Sequence, residues 1–263
     1  MFYSDLDSTL IFSKRYLPEE QPYTCIDKKE INGKILEISY ILDKSLVILN
    51  KLIECNLFIP VTTRNLTQYN RIQFINQNNI EWAIISAGEM ILHNGVEFKP
   101  YTQLVERKIG NNIEKAEQFL NNEYICKKMS KYTFLLNAND NKDFDLDKLN
   151  KSLEEFDFIT IPTKEKPEIS EMLVQPKEID KAFAVNYLKK LLKDNNDIVS
   201  GDAPPDLHML KEAKIAIINK GMKNILHILE GRNNVKICNS SSFEGGYQIL
   251  LLAQELLKES KYD

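Results

Sequence analysis

Cysteine and histidine are scarce in this sequence, and neither occurs in a functional spacing. The four cysteines (Cys25, Cys55, Cys126 and Cys238) lie far apart, so there is no CxxC redox pair and no thiolate metal motif. The three histidines also lack the spacing of metal ligands. No GxGxxG stretch is present, which argues against a nicotinamide enzyme.

A basic surplus and long apolar runs are missing as well. The net charge is −4, so the chain shows no electrostatic footprint for nucleic acid. No apolar run reaches the roughly 18 residues that span a membrane. The first residues include Asp5 and Asp7, where a signal peptide would be apolar, and scattered thiols suit a reducing cytosol. We therefore expect a cytoplasmic protein that binds neither membrane nor nucleic acid; its oligomeric state cannot be derived from the sequence.

What is present fits a globular protein of one large domain, or a core with an insert. The chain has 263 residues, of which 43% are hydrophobic and 27% charged. Helix and strand patterns alternate along the first part, with a helix over Ser45–Cys55 and apolar strands at Leu57–Val61 and Trp82–Ile85. Such alternation predicts an α/β fold, with a Rossmann-like parallel sheet and helices on both faces. Pro60 conflicts with a strand there, because proline has no N–H to donate to a neighbouring strand. Either the strand bends at Pro60, or that amide position faces no partner.

The residues between these elements give further predictions. Residues 13–34 are polar and mixed, which indicates a loop, with room for a short hairpin through Ile31 and Ile35. Residues 66–78 have the spacing of a second helix. Asn94–Gly95 between two apolar stretches predicts a tight hairpin.

The order of helix and strand patterns changes after about residue 98. Helix and strand patterns between 98 and 169 form a small α+β set of their own. We interpret residues 98–169 as an inserted domain, with 1–97 and 170–263 as the two parts of the core. The apolar run Met172–Val174 is expected to return to the core sheet.

Two carboxylates stand one residue apart where the first strand ends. Asp5-Leu6-Asp7-Ser8-Thr9 follows the β-prone run Phe2–Ser4. Two like charges about 4 Å apart repel by roughly 4 kcal/mol at an effective dielectric near 20. A cation between them would offset this repulsion, and hard oxygen ligands favour Mg²⁺. The alternative is a turn or a helix cap, since Asp and Ser favour both.

Polar groups follow two later strands. Thr62 and Thr63 close one strand, and Asp202 and Asp206 follow another. If the strands are parallel, all these groups meet at the carboxyl edge of the sheet, where α/β proteins bind ligands. Taken singly, either threonine is also a candidate cap for the helix near Asn65, and Asp202 a residue of a Gly-Asp turn.

The ordered set resembles the haloacid dehalogenase-like (HAD) phosphatases. Asp5-Leu6-Asp7-Ser8-Thr9 is similar to their DxDxT signature and Thr62 to their second motif. Lys181, opening a helix, is similar to the third, and Gly201–Asp206 to the fourth, often GDxxND. The match is closest to the Cof-like and sucrose-phosphatase-like subgroup, which has a large cap between the second and third motifs.

The resemblance implies a role for each residue. Asp5 would be the nucleophile, and Asp7 the acid that protonates the leaving oxygen and later activates water. Thr62, Thr63 and Lys181 would bind the phosphoryl group. Mg²⁺ would be held by Asp5, the backbone carbonyl of Asp7, Asp202 and Asp206.

These implications predict a magnesium-dependent phosphohydrolase that acts on a small phosphorylated molecule, with sugar phosphates as one class. Two departures from the family pattern keep alternatives open: Pro205 replaces the usual Asn, and Thr63 a frequent glycine. The alternatives are a phosphotransferase or mutase, and a weakly catalytic module that binds a phosphorylated ligand. Five side chains of the insert are candidates to face the site, with solvent as the alternative: Tyr101, Arg107, Lys127, Lys128 and Tyr132. Lys177 is expected to be a solvated lysine.

Overall fold

The computed structural model describes residues 1–16, 21–74, 80–142, 144–163 and 170–259. The strands in these ranges are, in chain order, β1 (Phe2–Ser4), β2 (Tyr23–Ile31), β3 (Lys34–Leu42), β4 (Phe58–Pro60), β5 (Trp82–Ile85), β6 (Met90–His93), β7 (Val96–Glu97), β8 (Cys126–Lys128), β9 (Phe134–Asn137), β10 (Phe158–Pro162), β11 (Glu171–Pro176), β12 (Ile198–Ser200), β13 (Ile215–Asn219) and β14 (Val235–Cys238). The helices are α1 (Asp43–Glu54), α2 (Leu66–Tyr69), α3 (Lys99–Ile109), α4 (Asn112–Glu123), α5 (Leu146–Glu154), α6 (Lys181–Leu192), α7 (Leu207–Glu212), α8 (Lys223–Leu229) and α9 (Ser242–Glu259).

A parallel sheet in the order β14-β13-β12-β1-β4 forms the core. Ser4 is in register with Ser200 on one side and with Pro60 on the other, so three strands end at the same level. Their apolar residues are buried because the sheet is covered by helices, among which α1 packs on α9 and α6 on α7. The predicted Rossmann-like α/β core is confirmed.

The amide position of Pro60 lies on the side of β4 that faces away from β1. Val61 N donates to Ser4 O, whereas Thr62 N donates to Ile84 O of β5. Successive amides point to opposite sides of a strand, so Pro60 shares the side of Thr62. The first amide of this segment seen to donate to β5 is that of Thr62. Proline is tolerated at position 60 because that position lacks an N–H without loss of a bond to β1.

A second sheet, antiparallel and in the order β10-β11-β9-β8, belongs to the insert, which we call the cap. This sheet contains Met172–Val174, which the sequence analysis had assigned to the core. That assignment is wrong: Leu173 pairs with Ile161 and Leu135. The strand Glu171–Pro176 therefore belongs to the cap, which extends to residue 176 instead of 169. The other predicted limits, a first core part over 1–97 and a cap that starts at 98, stay predictions.

The segment before α1 is a long hairpin and not the predicted loop. β2 and β3 pair over Tyr23–Leu42 with bulges around Asp27. Only the tip of this hairpin, at Ile31 and Ile35, was predicted. The outer half is exposed, so its sequence lacks the alternation of apolar and polar residues that marks a half-buried strand. Its inner half is buried against the core through Ile26 and Ile41.

The helix predicted over 66–78 ends at Tyr69. Beyond it the chain turns to β2, where Ile72 forms a bridge with Asp27 and Gln73 N donates to Ile26 O. These contacts replace the helical ones, and residues 75–78 lie outside the described ranges. The Asn94–Gly95 hairpin is confirmed, with both residues at positive φ. Among the described residues no helix combines the length and apolarity needed to cross a membrane.

Candidate active site

Asp5 and Lys181 meet at the carboxyl edge of the core sheet. Asp5 follows β1 directly, and its backbone N–H donates to Ser200 O. Lys181 Nζ donates to Asp5 Oδ1 and to Asp206 Oδ1, each at 2.6 Å. The three side chains are at most 6% exposed. A fully buried lysine is rare unless it is paired, so these two contacts explain its position.

Local geometry places Lys181 at the first turn of α6. The carboxylate of Asp180 accepts from Phe183 N and caps the helix. The backbone at Gly88 presses against this cap so closely that a β-carbon there would lie 2.1 Å from Asp180 O. Gly88 is also at φ +99°, so only glycine fits both the contact and the conformation.

Asp206 organises the loop that carries Asp202. Its Oδ2 accepts from the backbone N–H groups of Asp202 and Ala203, each at 3.0 Å. A β-carbon on Gly201 would lie 2.4 Å from Asp206 Cβ, so the turn requires glycine. Pro205, which departs from the family pattern, lies within the short 3₁₀ turn Pro204–Asp206 that the loop forms.

Three carboxylates converge beside Lys181. Ligand atoms of Asp5, Asp202 and Asp206 all lie within 4.8 Å of one another. The hydroxyl of Thr9 is 3.1 Å from Asp5 Oδ2 and 3.2 Å from Asp202 Oδ1. Burial raises the pKa of Asp5 to about 7, with Asp206 and Asp7 adding to the effect and Lys181 opposing it. Burial, with Asp5 and Asp206, also raises the pKa of Asp202 well above its usual range.

This set of donors fits a divalent cation. With all groups ionised, one ammonium faces three carboxylates, which leaves an excess of negative charge in a buried place. A hard cation bound by oxygen ligands would offset that excess. The structure therefore brings together three of the four predicted ligands, Asp5, Asp202 and Asp206, while the part predicted for the Asp7 carbonyl stays a prediction.

The side chain of Asp7 has a different partner. Arg64 donates from Nε to Asp7 Oδ2 and from Nη2 to Asp7 Oδ1, both at 2.7 Å. The Asp7 side chain is 45% exposed, whereas that of Arg64 is 9% exposed. This two-bond pairing orients the carboxylate strongly.

Arg64 is in turn held by the β2–β3 hairpin. Its Nη1 donates to Asp27 Oδ2 at 2.5 Å, and its Nη2 to the Ser39 hydroxyl. Arg71 Nε donates to the other oxygen of Asp27, whose side chain is fully buried. The sequence pattern predicts no role for any of these four residues. The available indication was an arginine directly after Thr62-Thr63; nothing pointed to Asp27, which fell in a segment predicted as loop.

The two threonines differ in their surroundings. Thr62 is fully buried, and its Oγ1 accepts from Arg64 N at 3.2 Å. Its own hydroxyl hydrogen stays free to donate, because the bond to Arg64 N uses only a lone pair. Thr63 is partly exposed. Both follow β4, whose Pro60 is in register with Ser4, so they lie at the same edge of the sheet as Asp5.

The candidate side chains of the cap separate into two groups. Tyr101 and Tyr132 are buried, and the Tyr101 hydroxyl donates to Gly88 O, so these two are packed inside the protein. The basic residues are exposed, and Lys128 pairs with Glu117. The other two basic candidates, Arg107 and Lys127, are exposed, and so is Lys177, as expected.

Comparison with known proteins points to one family. A family model described as haloacid dehalogenase-like hydrolase matches residues 62–230, more than half of the chain. The matched range includes Thr62, Lys181 and Gly201–Asp206. No curated protein sequence matches the chain.

Solved structures show the same fold. The sucrose-phosphatase of Synechocystis sp. PCC6803, in complex with sucrose and phosphate, has a TM-score of 0.64 at 13% identity, over 96% of this chain and 97% of that one. A phosphatase of the haloalkanoate enzyme superfamily from Bacteroides thetaiotaomicron gives 0.56 at 13%, over 96% and 94%. A subclass IIB sugar phosphatase gives 0.55 at 10%, over 98% of each chain. At these identities the likeness concerns the fold, which includes both the core and the cap.

Proposed function

This chain belongs to the haloacid dehalogenase-like hydrolases, and from that premise we propose that it is a magnesium-dependent phosphohydrolase of small phosphorylated molecules. The observation that carries the proposal is the cluster of Asp5, Asp206 and Lys181, all buried, with the half-buried Asp202 beside them at the carboxyl edge of the sheet. A carboxylate nucleophile, a fixed ammonium and a cation site in contact are what transfer of a phosphoryl group to an aspartate requires.

In the proposed reaction Asp5 attacks phosphorus. A bond forms between one carboxylate oxygen of Asp5 and the phosphorus atom, while the bond from phosphorus to the leaving oxygen breaks. Asp7 gives a proton to that oxygen, so the product leaves as an alcohol. Asp7 then takes a proton from water, which attacks the aspartyl-phosphate and regenerates Asp5 as inorganic phosphate departs.

Two further groups bind the phosphoryl oxygens in this scheme. The Thr62 hydroxyl donates to one of them, and Lys181 holds Asp5 close to the anion that it attacks. Thr63 adjoins Thr62 and is proposed to line the same place. Arg64 positions Asp7. To act as the acid, Asp7 must release Arg64, take up a proton from solvent and turn to the leaving oxygen.

The residues proposed to hold Mg²⁺ are Asp5, Asp202 and the backbone carbonyl of Asp7. Asp206 supports them, since its two oxygens already accept from Lys181 and from the loop N–H groups, and it remains in reach of the same place. When bound, the ion supplies positive charge that screens the anionic nucleophile from the anionic phosphate.

Sugar phosphates are the substrate class that we propose to test first. The support is the fold, which is shared over nearly the whole chain, core and cap included, with a sucrose-phosphatase and with a subclass IIB sugar phosphatase. A cap of this kind can exclude water and contact the leaving group. A cytoplasmic setting, and the absence of nucleic-acid and membrane partners, stay predictions.

Phosphate release from p-nitrophenyl phosphate and a panel of sugar phosphates, with and without Mg²⁺, tests the proposal. We expect turnover that needs Mg²⁺ and is lost in Asp5→Asn by at least about a thousandfold. Asp147→Asn, which changes an exposed carboxylate of α5, should leave turnover unchanged. Transfer to a sugar acceptor in preference to water would indicate a phosphotransferase, and ligand binding without release would indicate a binding module.

A further inference from the structure

Glu89 is a buried acidic residue for which the reaction above has no use. It lies on the core between Gly88 and β6, and its side chain is 6% exposed. Its partners all come from the cap loop Met129–Thr133, which joins β8 to β9. Oε1 accepts from the Ser130 hydroxyl at 2.6 Å and from the Thr133 hydroxyl, and Oε2 accepts from Tyr132 N at 3.2 Å.

The same cap loop contacts the core at a second place, beside the second motif. Asn65, three residues after Thr62, donates from Nδ2 to Met129 O at 3.0 Å. The Asn65 side chain is itself fixed, because it caps α2 in a reciprocal pair of bonds with Gln68. The loop is therefore held at both ends, by Asn65 at Met129 and by Glu89 at Ser130–Thr133.

The turn that carries Glu89 also contacts the catalytic elements. Ala87 N donates to Thr62 O, and Ser86 N donates to Arg64 O. Gly88 packs on the backbone of Asp180, directly before Lys181. Ser86, Ala87 and Gly88 all have positive φ, a conformation that two non-glycine residues adopt here only at a cost. A turn held in such a conformation by contacts on three sides is poorly suited to move independently of them.

We propose that Glu89 is a positioning residue that docks the cap loop Met129–Thr133 onto the catalytic edge of the core. Through its turn, the position of the cap is coupled to the positions of Thr62 and Lys181. In the part concerning catalysis this inference rests on the proposed function; the docking itself does not.

The physical case for docking by Glu89 is that its bonds are specific to this position of the cap. A carboxylate that accepts three hydrogen bonds in a buried place is left unsatisfied if the loop departs, unless water enters. By contrast, the loop residue Lys131 forms an ion pair with Glu106 at 2.7 Å that is exposed and loses little on separation. Glu89 thus favours the docked state, whereas Glu106 is nearly indifferent to it.

Hydrogen–deuterium exchange of the full chain, without substrate, tests the docking. In Glu89→Gln one acceptor is replaced by an amide N–H₂ that faces donors, and we expect the peptide covering residues 129–134 to exchange about tenfold faster. Glu106→Gln is the matched control, since it alters an exposed partner of the same loop, and should exchange as the wild type does. Ser130→Ala with Thr133→Val removes two donors from the cap side and should reproduce the effect, so the test does not depend on one variant folding.

Kinetics with p-nitrophenyl phosphate and Mg²⁺ test the coupling. If docking prepares the binding-competent state, Glu89→Gln raises KM by about the factor by which that state is depopulated, and kcat falls less. Unchanged exchange at 129–134 in both the Glu89 variant and the double variant would overturn the inference and leave the proposed function intact. Faster exchange in a protein whose wild type releases no phosphate would overturn the proposed function and leave the docking intact. Faster exchange with KM and kcat unchanged would overturn the coupling.

Discussion

The two carboxylates of the first motif stand one residue apart and have opposite surroundings. Asp5 is itself buried and points into a cluster in which, among the described residues, Lys181 is the only cation facing three carboxylates. Asp7 points to Arg64, in a cluster where Arg64 and Arg71 balance Asp7 and Asp27. The first cluster is short of positive charge and the second is neutral.

This difference gives two carboxylates in the same three-residue segment different chemical roles. A cluster short of positive charge is a place for a cation and for a nucleophile whose ionised form the cation favours. A neutral cluster needs no further ion and can hold a partly exposed carboxylate in one orientation until it is used. Asp5 and Asp7 are therefore not interchangeable, although the motif presents them as a symmetrical pair.

After loss of the nucleophile Asp5 itself, removing the ammonium of the first cluster should have the largest effect on turnover. Lys181→Ala leaves Asp5 and Asp206 without their shared partner at 2.6 Å. We expect phosphate release to fall by about a hundredfold to a thousandfold, as when one fixed donor to a developing anion is lost. Lys177→Ala, four residues earlier and exposed, is the matched control and should retain wild-type turnover. Equal losses in the two variants would contradict the assignment of the third motif.

The cation requirement should distinguish the two clusters directly. A ligand that binds only the folded state stabilises it, so Mg²⁺ at about a hundred times its Kd would add about 2.7 kcal/mol and raise the melting temperature by several degrees. Asp202→Asn should abolish most of this shift, reduce turnover by about a hundredfold, and relieve repulsion in the metal-free protein. Asp27→Asn, in the neutral cluster, should keep the full shift. Thermal unfolding with and without Mg²⁺ measures all of these, and an equal shift in both variants would refute the comparison.

The first cluster was within reach of sequence reasoning and the second was not. Asp5, Thr62 and Asp202 each follow an apolar strand, and parallel strands end at one edge, so their proximity follows from order alone. Asp27 contacts Arg64 because a bulge in a mostly exposed hairpin directs its side chain inwards. The pattern of apolar residues does not predict such a bulge. Likewise Met172–Val174 is apolar enough for either sheet, and only the strands available as partners decide that it joins β9 and β10.

Loosening the second cluster should have a moderate effect on turnover and none on the binding of Mg²⁺. Asp27→Asn removes the charge that fixes Arg64 Nη1 and Arg71 Nε, while Arg64 can still pair with Asp7. The orientation of Asp7 then becomes less defined, and we expect kcat to fall about tenfold. Because proton transfer by Asp7 is affected and Asp5 is not, kcat should fall while the stabilisation by Mg²⁺ stays unchanged. A variant with wild-type kcat would show that Asp27 has no part in positioning Asp7.

The smallest effect is expected at Thr63, where the family often has glycine. Thr63 is not among the described residues with a left-handed backbone, so its conformation does not require glycine. Thr63→Gly should therefore change turnover by less than about threefold, and it should destabilise the fold by about 0.5–1 kcal/mol, because glycine has more freedom to lose on folding. Steady-state kinetics and urea unfolding measure the two. A gain in kcat/KM of tenfold or more would instead mean that the threonine side chain narrows the approach to the phosphate site, and that this chain differs from its family in access to the site as well as in the composition of its loops.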